Sequence, residues 1–308
     1  MASAVSTDRL TKDFTTGFWR PRPHRGLDGL TCDIPLGGVF GLLGPNGAGK
    51  STTLKLLLNL LRPTSGHAEV LGLAPGDVRA HRRLGFLPEN PTFYDYLSAE
   101  ELLTYFAGLF GYPAVECRAR AAKMLDRVGL AADRRRPLRQ YSKGMVQRVG
   151  IAQALINDPE LVIFDEPMSG LDPVGRRDIR DLILQLRDEG RTILFSSHIL
   201  SDAELLCSRV GILAKGNLVA SGTLEELTTG GGRGWEIVAS GVSHALIQRL
   251  RDRAMAATPI SEGRYSFDLK TDARPEPFIA ELAAAGAALV SVAPLRTTLE
   301  DVFMERIQ

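Results

Sequence analysis

The sequence is short of several things, and each shortage removes a class of protein. Its three cysteines, Cys32, Cys117 and Cys207, stand far apart with no CxxC pair, which excludes a disulfide framework and a zinc site. It has no excess of charge: 37 Lys+Arg against 36 Asp+Glu leave +1. Bulk electrostatics gives such a chain no grip on a polyanion, so no nucleic-acid partner is expected. It has no long apolar run. The longest, Leu282–Ala293, has 12 residues, contains Gly286 and stops at Pro294, whereas a spanning helix needs about 20. Asp8, Lys12 and Asp13 interrupt the region where a secretory leader would be unbroken. No solenoid-length repeat is present. The reading is a soluble intracellular protein whose 308 residues make one large domain or two modest ones.

What the sequence does have is alternation. Residues 36–43, 160–164, 191–196 and 209–214 are short apolar runs of the kind that form buried strands. Helical patterns lie between them, as in Val174–Arg187, which puts Ile179, Leu182, Ile183 and Leu186 on one face. That order predicts an α/β fold with a mostly parallel core sheet and helices on both faces. Residues 66–71 and 83–87 are expected as edge strands of a small antiparallel β subdomain, and 98–156 as an inserted helical subdomain. Residues 228–234, Thr-Thr-Gly-Gly-Gly-Arg-Gly, read as a linker closing a first domain at 1–227. Beyond it, strands at 235–239, 265–269 and 288–292 and helices at 242–255 and 276–285 suggest a small C-terminal α+β domain, 235–308. Its one histidine, His244, reads as a surface helix residue.

Gly44-Pro45-Asn46-Gly47-Ala48-Gly49-Lys50-Ser51, followed by Thr52, fits GxxxxGK[ST] directly after a strand. Glycines there let successive backbone N–H groups turn inward around a phosphate, while the following helix, expected over Lys50–Leu61, aims its positive end at the anion. Lys50 adds a mobile charge for the β/γ oxygens, and Ser51 offers a hydroxyl to Mg²⁺. Leu161-Val162-Ile163-Phe164-Asp165-Glu166 supplies the second half. Two carboxylates after four apolar residues are costly unless something positive compensates them. Asp165 is placed to hold Mg²⁺ through its water shell, and Glu166 to orient or deprotonate an attacking water.

Between these halves, Tyr141-Ser142-Lys143-Gly144-Met145 opens a helix expected to turn Met145, Val149, Ala152 and Ile156 to the core. The order of phosphate loop, Ser142-x-Gly144 helix start, Asp165-Glu166, Ser169-Gly170-Leu171-Asp172 and His198 after a strand resembles the ATP-binding cassette (ABC) transporter ATPases. The likeness covers residues 8 to about 222. It implies a P-loop NTPase of ABC ATPase type that binds ATP with Mg²⁺ and works as a head-to-tail homodimer. One subunit's Lys50 loop would hold the triphosphate, with Ser142, Gly144 and Asp172 coming from its partner. Glu166 would activate water and His198 contact the γ-phosphate. The chain has the motor and no pore, so the resemblance implies an integral membrane permease on a separate chain, with this protein on the cytoplasmic face of the membrane. A soluble ABC ATPase acting on ribosomes or nucleic acid, and a phosphate-loop kinase or GTPase, are the competing readings.

Three features depart from the family. Tyr141, Lys143 and Met145 replace residues of the usual Leu-Ser-Gly-Gly-Gln, a variant resembling ATPases of two-subunit drug, lipid and polysaccharide exporters. Glu89 stands where the family has glutamine and is expected near the metal and the attacking water. Phe14 sits at the place of the adenine-stacking aromatic, but an insertion at 15–26 brings Phe18 and Trp19 as rivals, with Arg20, Arg22 and Arg25. That insertion reads as an extended loop or as a contact for headgroups or a partner. Residues 118–139 carry eight Lys/Arg and two Asp/Glu, which form either a solvated face or a docking surface near anionic lipid. The tail Thr298–Phe303 is similar to exporter-ATPase tails and would steady or regulate the dimer.

Overall fold

The computed structural model describes residues 3–16, 22–228, 234–251, 253–270, 274–295 and 298–307. Its centre is a six-stranded sheet built from β3 (Gly38–Leu43), β5 (Leu84–Leu87), β6 (Leu161–Phe164), β7 (Thr192–Ser197), β8 (Arg209–Ala214) and β9 (Asn217–Thr223), in the order β5-β6-β7-β3-β8-β9. Every neighbouring pair is parallel except β8–β9, which is antiparallel. The four residues of β6 are all buried, as expected of a strand covered on both faces. The expected α/β class with a mostly parallel sheet is what the chain forms.

The expected placement of residues 83–87 is corrected. Residues 83–87 belong to no antiparallel element: β5 pairs parallel with β6, Leu84 opposite Leu161. A four-residue apolar run has the same pattern in either sheet, so periodicity cannot choose. Packing chooses instead, because Gly85 has no Cβ to keep the Ala154 carbonyl away. The antiparallel sheet is β2-β1-β4, made of β1 (Ser3–Thr16), β2 (Arg22–Pro35) and β4 (Ser65–Val70). The insertion is a hairpin rather than a loop over its described part, with Thr15 opposite Pro23 and Thr16 opposite Arg22. Phe18, Trp19 and Arg20 lie outside the described residues.

Helix α1 (Lys50–Leu57) lies between the two sheets. Its Leu54, Leu56 and Leu57 join one core with Val5, Leu27 and Leu30 from the antiparallel sheet and Phe40, Ile163 and Leu194 from the central one. Each fully buried side chain of this size contributes about 1.5–3 kcal/mol. The helix stops before Leu61 because Asn59 turns into the left-handed region, at φ 56. A short α2 (Val78–His81) precedes β5, and α3 (Ala99–Leu109), α4 (Ala114–Arg127) and α5 (Lys143–Ala154) form the helical insert. Val149, Ala152 and Ile156 are buried as expected. Met145 is not: it is half-exposed on the first turn of α5, and Gln147 takes a buried position instead. Helices α6 (Pro173–Asp188) and α7 (Leu200–Leu206) pack against β3 and β7.

The chain divides into compact units between Leu224 and Glu225, within the short helix α8 (Leu224–Thr228). The second unit is an antiparallel sheet in the order β11-β12-β10-β13, from β10 (Gly234–Ser240), β11 (Ala256–Ser261), β12 (Arg264–Leu269) and β13 (Ala288–Leu295). Its core joins Ile237 and Phe267 to Leu246 and Leu250 of α9 (His244–Arg251) and Phe278 and Leu282 of α10 (Pro275–Ala284). A last helix, α11, spans Leu299–Ile307. The helix expected over 242–255 is shorter, with α9 stopping at Arg251, and an unexpected strand follows: from Ala256 the chain is β11, whose Pro259 masks the strand signal.

Candidate functional site

Strands β6, β7 and β3 are neighbours at the middle of the sheet, and their carboxyl ends open on one side. In open α/β sheets this is where ligands bind. The loop after β3 runs Gly44–Gly49 into α1. Gly44 (φ 150) lies against the Leu213 carbonyl, and Gly49 (φ 107) would bring a Cβ to 2.7 Å from the Gly26 carbonyl oxygen. No other residue type fits either place. Gly47 (φ 79) has open space where a Cβ would be, so the middle of the loop is bare backbone facing a cleft of about 630 Å³.

Lys50, on the first turn of α1, is 5% exposed. Its ammonium donates to the carbonyls of Gly44 (2.7 Å) and Pro45 (3.2 Å) and lies 3.2 Å from Glu166 Oε1. Asp165 and Glu166 leave the end of β6 and are 5% and 7% exposed. Glu166 sits at φ 48, a conformation that costs a non-glycine residue roughly 1–3 kcal/mol unless its surroundings hold it. Ser196 of β7 does the holding. Its hydroxyl accepts from Glu166 N (2.9 Å) and donates to Asp165 Oδ1 (2.6 Å). Ser51 Oγ donates to the same Asp165 oxygen across the cleft at 3.2 Å. The second Glu166 oxygen, Oε2, accepts from His198 Nδ1 at 2.8 Å, which leaves His198 Nε2 free of this contact. Lys50, Glu166 and His198 thus form one chain of polar contacts from the first turn of α1 to the residue after β7.

The cleft is lined by Phe14, Asn46, Gly47, Gly49, Lys50, Ser51, Thr52, Glu89, Glu166 and His198 among the expected residues, and by His24, Gly26 and Ser169, which were not expected. Pro45 and Ala48 belong to the loop without facing the cleft: Ala48 is buried, and its N–H closes the turn on the Pro45 carbonyl. Glu89 is exposed at the rim after β5.

Ser142, Gly144 and Asp172 do not line this cleft. They cap or open helices elsewhere on the surface: Ser142 Oγ accepts from Met145 N at 3.3 Å, and Asp172 Oδ1 from Gly175 N at 2.9 Å. The two helix starts are neighbours. The Lys143 ammonium lies over the space a Cβ of Gly170 would need, and Gly144 faces Leu171. Sequence reasoning missed Gln147, 2% exposed, whose Nε2 donates to the Pro167 carbonyl at 3.0 Å. It ties α5 to the turn after Glu166. A glutamine inside an apolar helix face was the signal for it.

The basic run resolves into pairs. Arg120 meets Glu116, Arg127 meets Glu189, Arg134 and Arg135 face Glu100, and Arg136 meets Asp133. Much of its charge is therefore answered locally, as on a solvated face. No helix among the described residues is long and apolar enough to cross a membrane.

Comparison with known proteins agrees with this geometry. Residues 27–169 match the ABC transporter family. The chain is 43% identical over 309 residues to an uncharacterised ABC transporter ATP-binding protein of Synechocystis, covering 100% of this chain and 85% of the relative. It is 40% identical over 207 residues to the daunorubicin/doxorubicin resistance ATP-binding protein of Streptomyces peucetius, covering 66% and 62%. Among solved structures, a dimeric ATP-binding cassette in a post-hydrolysis state with ADP and phosphate superposes with TM-score 0.65 at 26% identity, over 71% of this chain and 98% of that one. This chain belongs to the ATP-binding proteins of the ABC transporter family, and is an ATPase.

Proposed function

We propose that the chain is the ATP-hydrolysing subunit of a transporter whose pore is a separate membrane polypeptide, and that two copies close head to tail on two ATPs. One observation carries this reading. The cleft gathers Lys50, Glu166 and His198, while Ser142, Gly144 and Asp172 face outward together on another surface. One chain holds half of each site, and a second copy in opposite orientation supplies the other half.

Bare backbone at Gly47 and the start of α1 receive the phosphates, with Lys50 as their mobile countercharge. The oxygen donors Ser51 and Asp165 suit a Mg²⁺ ion: both are hard ligands, and Asp165 keeps an oxygen beyond the one shared by Ser51 and Ser196. Such an ion would neutralise charge between the outer phosphates. Glu89 at the rim would take part in that shell in place of the family's glutamine. Glu166 accepts the proton of the attacking water while His198, bonded through Nδ1, turns Nε2 to the γ-phosphate. Phe14 stacks the adenine.

A groove between the strand-end loop at Pro88–Phe93 and helices α3 and α5, walled by Phe86, Phe93, Phe106 and Phe110, supports docking of a membrane subunit. The drug-resistance relative favours export. The test is co-purification from mildly solubilised native membranes with a non-hydrolysed ATP analogue. An integral membrane protein in comparable amount is the expected result. Ribosomal or nucleic-acid material without one would replace this reading with that of a soluble ABC ATPase.

A further inference from the structure

The hairpin of β1 and β2 carries its side chains in opposed pairs, and members of a directly opposed pair stand on the same face of the ribbon. Asp13 is opposite Arg25, and Phe14 is opposite His24. The first pair is tied by charge: Arg25 Nε donates to Asp13 Oδ1 at 2.8 Å and its Nη1 to Asp28 Oδ1 at 3.0 Å. The second pair faces the cleft, whose lining also includes Asn46, Gly47 and Thr52.

Phe14 is fixed in place. A Cβ on Gly26 would lie 2.5 Å from its Cε2, so the ring rests on bare glycine. The Lys12 ammonium stands 5.4 Å from the ring centroid and is itself held by the Arg62 carbonyl at 2.8 Å. His24 stands beside this fixed ring, exposed within the cleft. A planar, polarisable side chain next to a stacking ring extends the stacking surface.

We propose that His24 contacts the nucleoside, forming with Phe14 a two-ring shelf that selects purine over pyrimidine nucleotides. The proposal rests on the ATP-binding reading above. A purine's fused rings are long enough to lie across both side chains, whereas a pyrimidine covers one. His24 therefore adds affinity to ATP that it adds less of to CTP, and none to a ligand without a base.

The experiment is equilibrium binding of ATP, CTP and inorganic tripolyphosphate, with magnesium, to the full chain and to His24→Ala, His24→Phe and Phe14→Ala. The expected result for His24→Ala is a loss of about tenfold for ATP, a smaller loss for CTP and none for tripolyphosphate, with His24→Phe restoring ATP affinity. Wild-type ATP affinity in His24→Ala, alongside a loss in Phe14→Ala, overturns the proposal and leaves Phe14 as the whole shelf. Equal losses for ATP and tripolyphosphate overturn it by assigning His24 to the phosphates or the fold. Failure of the ATP-binding reading looks different, because the unaltered chain would then bind none of the three ligands.

Discussion

Lys50 Nζ lies 3.2 Å from Glu166 Oε1, with the two side chains only 6% and 8% exposed. A buried pair of this kind is held by mutual need, since removing one partner strands the other's charge. In the proposed mechanism an entering triphosphate competes for the same ammonium, and by taking Lys50 it would release the Glu166 carboxylate toward the water, which would link phosphate binding and base activation through one side chain.

Glu166→Gln removes the anion and keeps the shape. ATP should bind at least as tightly as to the unaltered chain, because Lys50 no longer has to leave a carboxylate. Hydrolysis should fall by about 10²-fold or more, the usual contribution of a general base. Phosphate release and ATP titration together check this, and a variant that hydrolyses at the original rate would move the base elsewhere.

Ser196 is buried and satisfies two groups at once, Asp165 Oδ1 and Glu166 N. Ser196→Ala leaves the buried Glu166 amide hydrogen without its partner and Asp165 Oδ1 with Ser51 alone, at about 1–3 kcal/mol for the unsatisfied buried group. Thermal unfolding should drop by several degrees and ATP turnover should fall. Unchanged melting would show that water replaces the hydroxyl without cost.

Gly26→Ala tests how the Phe14 ring is placed. The new methyl occupies the ring's resting site, so ATP affinity should fall several-fold. In a Phe14→Ala background the same change should do almost nothing, since contacting residues couple and a missing ring cannot be displaced. Additive losses in the double variant would mean that Gly26 acts through its close approach to Gly49 instead.

Cys32 and Cys207 should be inert in the folded chain. Burial pushes Cys32 up to about 11 and Cys207 well above the ordinary thiol range. Only the thiolate reacts, so at pH 8 their alkylation should be far slower than that of an exposed cysteine and should rise as pH rises. Mass spectrometry after timed iodoacetamide treatment measures this. Rapid labelling of Cys207 at pH 8 would contradict it.

Much of this was legible in the residues. The apolar runs found the central strands because buried parallel strands need no alternation, and the phosphate loop announced itself through glycines that backbone geometry requires. Asp165 and Glu166 stood out because carboxylates after Leu161–Phe164 demand compensation. What stayed hidden depended on partners distant in sequence. Ser196 is an ordinary strand serine until Asp165 and Glu166 are folded beside it, and His24 is an ordinary hairpin residue until β2 brings it opposite Phe14. Which sheet β5 joins was equally unreadable, because Leu84–Leu87 pack against α5 through the missing Cβ of Gly85. Likewise, the choice between a solvated face and a docking surface for residues 118–139 depended on where Glu100 and Glu189, far away in the chain, come to lie.

In the proposed dimer, Lys50 of one copy and Ser142 of another share one ATP. The most direct measurement is the mass in solution of Glu166→Gln with and without ATP, by light scattering on the 33.5 kDa chain. The expected result is a monomer without nucleotide and a dimer with ATP, lost again when Ser142→Phe is added. A chain that stays monomeric at saturating ATP, or that dimerises regardless of Ser142, would contradict it.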